Sequence, residues 1–226
     1  DREKRVELPW VQLRRYGWSL SQFLLPQLII GLGAGLMQPF MNIYFRNVYQ
    51  KPDPPISMVF AIGGLAMAIA QFLGPPLADK YGKINTVILT QIFSVPFLLL
   101  LGIGAWVVPG GMAAASVWFF VAGLAYIFRL ALMNLSNPVY QTFVLEHVPP
   151  STQALTMSLN SLSFQFGWFV MPQVSGWLQV TFGDMGFVPI FFSVAFFYVT
   201  AITIEWFFFY RPQKQAASLQ PQVSGD

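Results

Sequence analysis

The sequence contains no cysteine, so disulfides, thiolate metal sites and cysteine nucleophiles are excluded. With His147 as the single histidine, a site of several histidines cannot form, and we expect neither a metal nor a cofactor. Charged residues make up only 9% of the 226 residues, against about 25% in soluble domains. This scarcity excludes an ordinary soluble protein, and the net charge of +3 gives no reason to expect a nucleic-acid partner.

Apolar residues form 55% of the chain and are organised into blocks. Each block has roughly 20 residues, the length of helix that crosses a hydrocarbon core of about 30 Å. The blocks lack the inside–outside alternation of membrane barrels, so helices are expected. The six blocks are residues 23–45, 56–78, 85–107, 116–135 (apolar to 145), 158–182 and 187–209. The pattern predicts an all-α membrane protein with six transmembrane helices in a lipid bilayer.

Basic residues are distributed unevenly between the two sides of the predicted spans. If the N-terminus is cytoplasmic, nine of the twelve lie on that side: Arg2, Lys4, Arg5, Arg14, Arg15, Lys80, Lys83, Arg211 and Lys214. Arg46 and Lys51 lie on the opposite side, and Arg129 lies within the fourth span. Because cytoplasmic loops are enriched in Lys and Arg, we expect a multi-pass protein of the inner or plasma membrane with both termini cytoplasmic.

Composition divides the chain into three segments. Residues 1–22 mix basic and aromatic residues, which fits either a cytoplasmic amphipathic leader on the membrane surface or a plain linker. Residues 23–210 form the six-helix transmembrane unit, and residues 211–226, rich in Gln, Ser and Ala, are expected to be a disordered cytoplasmic tail. The chain starts at Asp1 rather than at a methionine, so we expect a fragment or one half of a longer chain.

A charged motif separates the second span from the third, where residues 77–83 read Leu-Ala-Asp-Lys-Tyr-Gly-Lys. It resembles the major facilitator superfamily signature Gly-x-Leu-Ala-Asp-Arg/Lys-x-Gly-Arg/Lys-Arg/Lys, which lies in the cytoplasmic loop between the second and third spans of each six-helix half. Pro75 replaces the first Gly and Ile84 the last basic residue. The resemblance implies a cytoplasmic gate formed by Asp79, Lys80, Gly82 and Lys83. The alternative is an ordinary charged loop that obeys the positive-inside rule.

A second motif, in the fifth span, reads Gly-Trp-Phe-Val-Met-Pro-Gln-Val-Ser-Gly over residues 167–176. It is similar to the Gly-x-x-x-Gly-Pro-x-x-Gly-Gly pattern in the fifth span of many antiporters of the superfamily, with Met171 and Ser175 in place of two glycines. Small residues let helices approach closely, and proline bends a span. We expect Gly167, Pro172 and Gly176 to serve in helix packing and kinking, which supports the family without indicating antiport.

Arg129 lies near the middle of the fourth span, where a charge costs several kcal/mol unless it faces a polar cavity or a partner. No carboxylate of the sequence is expected at the same depth, since Glu205 falls near the end of the sixth span. A cavity, an anionic substrate group or a carboxylate of a missing half would compensate the charge. The alternative is a structural Arg bonded to helix carbonyls and Asn134.

Polar residues at helical spacing mark faces of the first, fourth and fifth spans. In the superfamily the first, second, fourth and fifth spans of a half line the central path, so the resemblance directs these faces towards it. The expected substrate-path residues are Arg129, Gln38, Asn42, Tyr126 and Gln165. The alternative is that such side chains only bond helices together.

An enzymatic function is not indicated. The pair Ser175-Gly176 lacks the preceding Gly of an intramembrane serine protease, and His147 comes earlier, in a loop. No Gly-rich phosphate loop, paired catalytic carboxylates or cluster of metal ligands is found in the sequence.

Together, the motifs resemble one six-helix half of a twelve-helix major facilitator transporter. Three features favour the C-terminal half: the incomplete first motif, the missing methionine, and the basic amphipathic leader of residues 1–22, which resembles a remnant of the central cytoplasmic loop. The resemblance implies secondary transport of a small solute by alternating access, together with a second six-helix half from the same gene or a second copy. An unpaired Arg129 indicates an anionic solute. The alternatives are a six-span scaffold or assembly subunit without transport, and a half-size transporter acting as a homodimer.

Overall fold

The structure, a computed structural model, describes residues 9–212, apart from the side chains of residues 9–16 and Ser19. This part of the chain is helical and has no strand. The α-helices are α1 (Pro9–Met37), α2 (Met41–Tyr49), α3 (Asp53–Tyr81), α4 (Lys83–Val107), α5 (Ala115–His147), α6 (Gln153–Phe182) and α7 (Phe187–Glu205). The prediction of an all-α protein is confirmed for these residues.

The predictions for the two ends of the chain fall largely outside this range. Residues 1–8 and 213–226 lie outside the described residues, and of the predicted tail only Arg211 and Pro212 are described, both helical. From Pro9 onward the backbone is helical without a break into the first apolar block. The leader and the tail therefore stay predictions.

Five helical stretches in the described residues are long and apolar enough to cross a membrane. They are Leu20–Tyr49, Asp53–Tyr81, Lys83–Val107, Ala115–His147 and Gln153–Tyr210. The last has 58 residues and contains both α6 and α7, joined by a 3₁₀ turn at Gly183–Gly186. A Cβ on Gly186 would lie 2.6 Å from the carbonyl oxygen of Leu178, so the chain folds back against α6 at this turn.

The order in which the helices pack determines which side chains meet. Helix α1 packs between α6 and α7, α4 packs between α7 and α5, and α5 also packs against α3. Helix α3 lies at the edge, because 17% of its most apolar window is buried, against 44% or more in the other four stretches. Helix α7 therefore packs against α1 and α4, and α4 lies between it and α5.

The contact between α1 and α6 is made by backbone rather than by side chains. A Cβ on Gly167 would overlap the carbonyl group of Gly31, and one on Gly35 would overlap the carbonyl oxygen of Gly167. Only hydrogen fits at these positions, as in other close helix pairs of membrane proteins. Pro172 lies inside α6, which continues through it, and a Cβ on Gly176 would have no neighbour within 4 Å.

Candidate functional site

Arg129 of α5 is buried, with 2% of its surface exposed. Its Nη2 donates a hydrogen bond to the hydroxyl of Tyr198 on α7, and the guanidinium carbon lies 5.4 Å from the centre of the Tyr198 ring. Nε has no hydrogen-bond partner. The ion pairs among the described residues join other groups, so no described carboxylate neutralises Arg129. One tyrosine thus supplies both an acceptor and an aromatic face to the buried cation.

A cavity of about 270 Å³ adjoins Arg129, between α1, α5, α6 and α7. Its polar lining residues are Gln38, Arg129, Asn134, Asn137, Trp168 and Tyr198. The volume is close to the lower limit of about 300 Å³ for ligand pockets. A cavity of this size with one buried cation suits a small solute or a single polar group of a larger one.

Two asparagines of α5 form one wall of the cavity. The Asn137 amide donates to Oδ1 of Asn134 at 3.0 Å, and the Asn134 amide donates to the carbonyl oxygen of Leu130 at 2.8 Å. Asn134 is thus held by its own helix and by Asn137 rather than by Arg129. The structural alternative had Arg129 bonded to helix carbonyls and Asn134. In the structure, the hydrogen bond of Arg129 goes to Tyr198 instead.

A break in the first span places Gln38 in the same cavity. A 3₁₀ turn at Gln38–Phe40 separates α1 from α2, and Pro39 lies in this turn. Proline has no backbone N–H and its ring clashes with the preceding turn, which interrupts a helix at this point. Gln38 therefore lines the cavity at the end of the α1 face that contacts α6 and α7.

The remaining predicted path residues lie elsewhere. Tyr126, one turn before Arg129, is buried in an aromatic cluster, with its ring centre 5.3 Å from that of Phe60. Asn42 and Gln165 are exposed and do not line the cavity. Of the five predicted residues, the structure brings Arg129 and Gln38 together.

Tyr198 is the cavity residue that the sequence reasoning missed. It belongs to a strongly apolar span, and the available signal is its spacing of seven residues from Glu205, which puts both on one face of α7. That spacing identifies a shared face but not the helix opposite it.

The charged motif lies where α3 meets α4, at what we call the motif end of the bundle. Residues 79–81 continue α3, and Gly82 is the single residue between the two helices. Its φ of 88° and ψ of 145° fall in a region that is essentially restricted to glycine. Instead of a loop, a one-residue break turns the chain, because glycine accepts this backbone conformation.

One charge of the motif links two helices. Lys83, at the start of α4, forms an ion pair with Glu146, near the end of α5. Asp79 and Lys80 are exposed, and neither forms an ion pair with another side chain that the structure describes. The Lys80 ammonium instead lies 5.2 Å from the centre of the Tyr81 ring. Of the predicted gate residues, Gly82 and Lys83 are therefore the two that shape or bridge the junction.

These features define a multi-pass helical membrane protein with a buried cation beside a polar cavity. In the described part of the chain, no three His, Cys, Asp or Glu residues are grouped as a metal site would require. The family model for the Major Facilitator Superfamily matches residues 24–224. The chain belongs to the major facilitator superfamily, a family of membrane transporters rather than enzymes. Comparison with curated proteins gives no match.

Proposed function

We propose that the chain is one six-helix half of a secondary transporter that moves a small solute by alternating access. The observation that carries this proposal is Arg129, a buried cation without a described counter-ion, beside a polar cavity between helices of several spans. A charge at such a position costs about 3 kcal/mol in a transmembrane helix and is found mostly where it serves a path or a partner. Arg129, Gln38, Asn42, Tyr126 and Gln165 remain the proposed residues of the path.

In this proposal, α6 and α7 cross the membrane separately and complete the six spans. The contact of Gly186 with the α6 backbone at Leu178 supports two antiparallel passes. Both termini and the motif end then face the cytoplasm of a cell with this protein in its inner or plasma membrane, as the distribution of basic residues favours.

A second six-helix half would cover the exposed amides of the spans. Asn42, Asn137 and Gln165 are exposed on otherwise apolar helices. Polar groups that face lipid are unfavourable, so a protein surface or a water-filled path is the better environment for them. The second half would come from the same gene or from a second copy of this chain.

The proposed solute class is a small anion. Arginine presents a fork of N–H donors that suits carboxylate and phosphate groups, and Nε of Arg129 still lacks an acceptor. A carboxylate or phosphate in the adjoining cavity would supply both the missing acceptor and the missing negative charge.

The test is uptake into proteoliposomes that contain the full chain, with labelled succinate, inorganic phosphate and, as a neutral probe, glucose. We expect uptake of an anion, a loss of about 100-fold in Arg129→Leu, corresponding to about 3 kcal/mol, and partial activity in Arg129→Lys. Arg46→Leu is the matched control, since it removes an exposed Arg paired with Asp53. Unchanged uptake in Arg129→Leu would contradict the path role.

The same preparation separates the alternatives. A folded, inserted chain that takes up none of the probes would favour the scaffold or assembly subunit. Crosslinks between identical chains that accompany uptake would identify the half-size transporter acting as a homodimer.

We also propose that Asp79, Lys80, Gly82 and Lys83 act as a cytoplasmic gate. The Lys83–Glu146 ion pair supports this role, because it joins α4 to α5 at the motif end and can break when the helices separate. Asp79→Asn should reduce uptake while membrane insertion is retained. Asp184→Asn, in the turn between α6 and α7, is the control and should leave uptake unchanged. Equal uptake in both variants would remove Asp79 from the gate.

A further inference from the structure

Glu205, the last residue of α7, is a fully buried carboxylate without hydrogen-bond donors. None of its surface is exposed, and neither Oε1 nor Oε2 has a partner. The side chain of Gln91 on α4 lies against the carboxylate, and the Oε1 atom of this amide also lacks a donor. Three buried oxygen atoms of two adjacent side chains therefore lack a hydrogen-bond partner.

Among the side chains that the structure describes, the helices around Glu205 supply no positive charge to it. From α5 the titratable neighbour is Tyr140, whose hydroxyl already donates to the carbonyl oxygen of Phe23 at 2.8 Å. From α1 the amide of Gln27 lies beside Tyr140. Helix α6 contains no titratable residue, and the one on α4, Lys83, is paired with Glu146.

Arg129 is not the missing partner. Its guanidinium is bonded to Tyr198, seven residues before Glu205 on α7. Two turns of helix correspond to about 10 Å, so the two buried charges occupy separate environments.

A single bound proton would compensate both the buried negative charge and the unpartnered oxygen atoms. When one carboxylate oxygen forms an O–H bond with a proton taken from water, the charge disappears and the new O–H can donate to Oε1 of Gln91. A hard metal cation takes about six or more oxygen ligands, which these three acceptors do not provide. A buried charge costs far more than a buried, hydrogen-bonded neutral group.

We infer that Glu205 and Gln91 form a proton-binding site in the membrane-embedded part of the bundle, separate from the Arg129 cavity. The site loads by protonation of Glu205, whose O–H then donates to Gln91. Binding of the proton does not depend on the proposed transport of a solute.

Two features near Glu205 fit a site that exchanges its ligand. Helix α7 widens into a single π-helical turn at Trp206–Tyr210, directly after Glu205, and such turns occur frequently at functional sites. A cavity of about 340 Å³ lies between α4 and this π-helical turn. Its lining includes Ile88 and Ile92, which flank Gln91, and Trp206. This cavity extends to Tyr81 at the motif end, and neither Glu205 nor Gln91 lines it.

The test is infrared difference spectroscopy of the full chain in lipid nanodiscs during a pH titration. At neutral pH we expect a carbonyl stretching band of a protonated carboxylic acid that shifts on exchange into deuterated water. Glu205→Gln should abolish this band, and Glu205→Asp should keep one at an altered frequency. Glu146→Gln, which changes an exposed carboxylate, is the control and should leave the band in place.

A further variant and a change of salt distinguish a bound proton from a bound metal cation. Gln91→Leu removes the acceptor, so the band should remain but move in frequency. No protonated-acid band at neutral pH, or an unchanged band in Glu205→Gln, would overturn the inference. Replacement of choline by sodium at constant ionic strength should have no effect. Loss of the band on addition of sodium would assign the site to a metal cation and overturn the proton site.

Discussion

Arg129, which bonds to α7, and Glu205, at the end of α7, are both buried ionisable residues, yet their surroundings differ. Arg129 has the hydroxyl and ring of Tyr198 and adjoins a polar cavity. Glu205 has neither a donor nor a counter-ion among the described residues. Burial alone therefore does not define a charged site, since the neighbours determine what each charge can do.

The difference follows from the chemistry of the two groups. A guanidinium cannot be deprotonated in a protein, so its charge has to be compensated by acceptors, aromatic faces or a ligand. A carboxylate can instead lose its charge by taking up a proton. Arg129 is thus suited to bind an anion through its permanent positive charge, whereas Glu205 is suited to alternate between a protonated and an ionised form.

The largest effect is expected at the close backbone contact between α1 and α6, two of the helices around the Arg129 cavity. Gly167→Leu would force a side chain into the backbone of α1 at Gly31, and we expect a loss of more than about 3 kcal/mol of stability. Size-exclusion chromatography and thermal unfolding in detergent measure it. Gly176→Leu is the matched control and should be tolerated, because that position is open. Equal behaviour of the two variants would show that the α1–α6 contact is not close.

Removal of the partner of Arg129 should have the next largest effect. Tyr198→Phe keeps the ring but deletes the hydroxyl that accepts from Arg129, and hydrogen bonds to charged groups contribute about 2 kcal/mol. Thermal unfolding should show this loss, together with weaker uptake of an anionic probe. In Tyr210→Phe, where no hydrogen bond to a described residue is removed, both should be unchanged. A stability equal to wild type in Tyr198→Phe would mean that Arg129 is compensated by another group.

Glu205→Gln should change stability by less than about 1 kcal/mol, which would sharpen the contrast with Tyr198→Phe. A neutral amide replaces a neutral acid of nearly the same shape, so no charge interaction is lost. Thermal unfolding at neutral pH measures the difference. A loss of several kcal/mol would reveal a counter-ion for an ionised Glu205.

The smallest effect is expected from the exposed ion pair of the motif end. Lys83→Met should cost about 0.5 kcal/mol, since pairs in contact with water contribute little and are screened by salt. A double-mutant cycle with Glu146→Gln isolates the pair. A coupling energy of several kcal/mol that persists in high salt would contradict this expectation, because it would show that the Lys83–Glu146 pair is shielded from water.

Much of the fold could be predicted from the sequence. The block 85–107 corresponds to α4 at Lys83–Val107, and the block 187–209 begins where α7 begins, at Phe187. Runs of apolar residues reveal helices because the length of a span is a local property. The motif around Gly82 placed the junction of α3 and α4 correctly, and its resemblance to the major facilitator superfamily is confirmed by the family model.

The partners within the candidate sites could not be predicted in the same way. Polar spacing indicated Gln38 and Gln165 equally well, yet Gln38 lines the cavity and Gln165 is exposed. Gln91 gave no signal, and the spacing of Tyr198 from Glu205 was not enough to identify its partner, because helical periodicity shows which residues share a face and not which helix lies opposite.

The sequence by itself determined the membrane class, the helices and their junctions, since hydrophobicity, proline and glycine act along neighbouring residues. Only the tertiary structure decided that Arg129 meets Tyr198 and that Glu205 meets Gln91. These pairs join helices distant in the chain, and the packing order of the bundle brings them together. That order depends on contacts such as Gly31 against Gly167, where two backbones approach more closely than any side chain would allow.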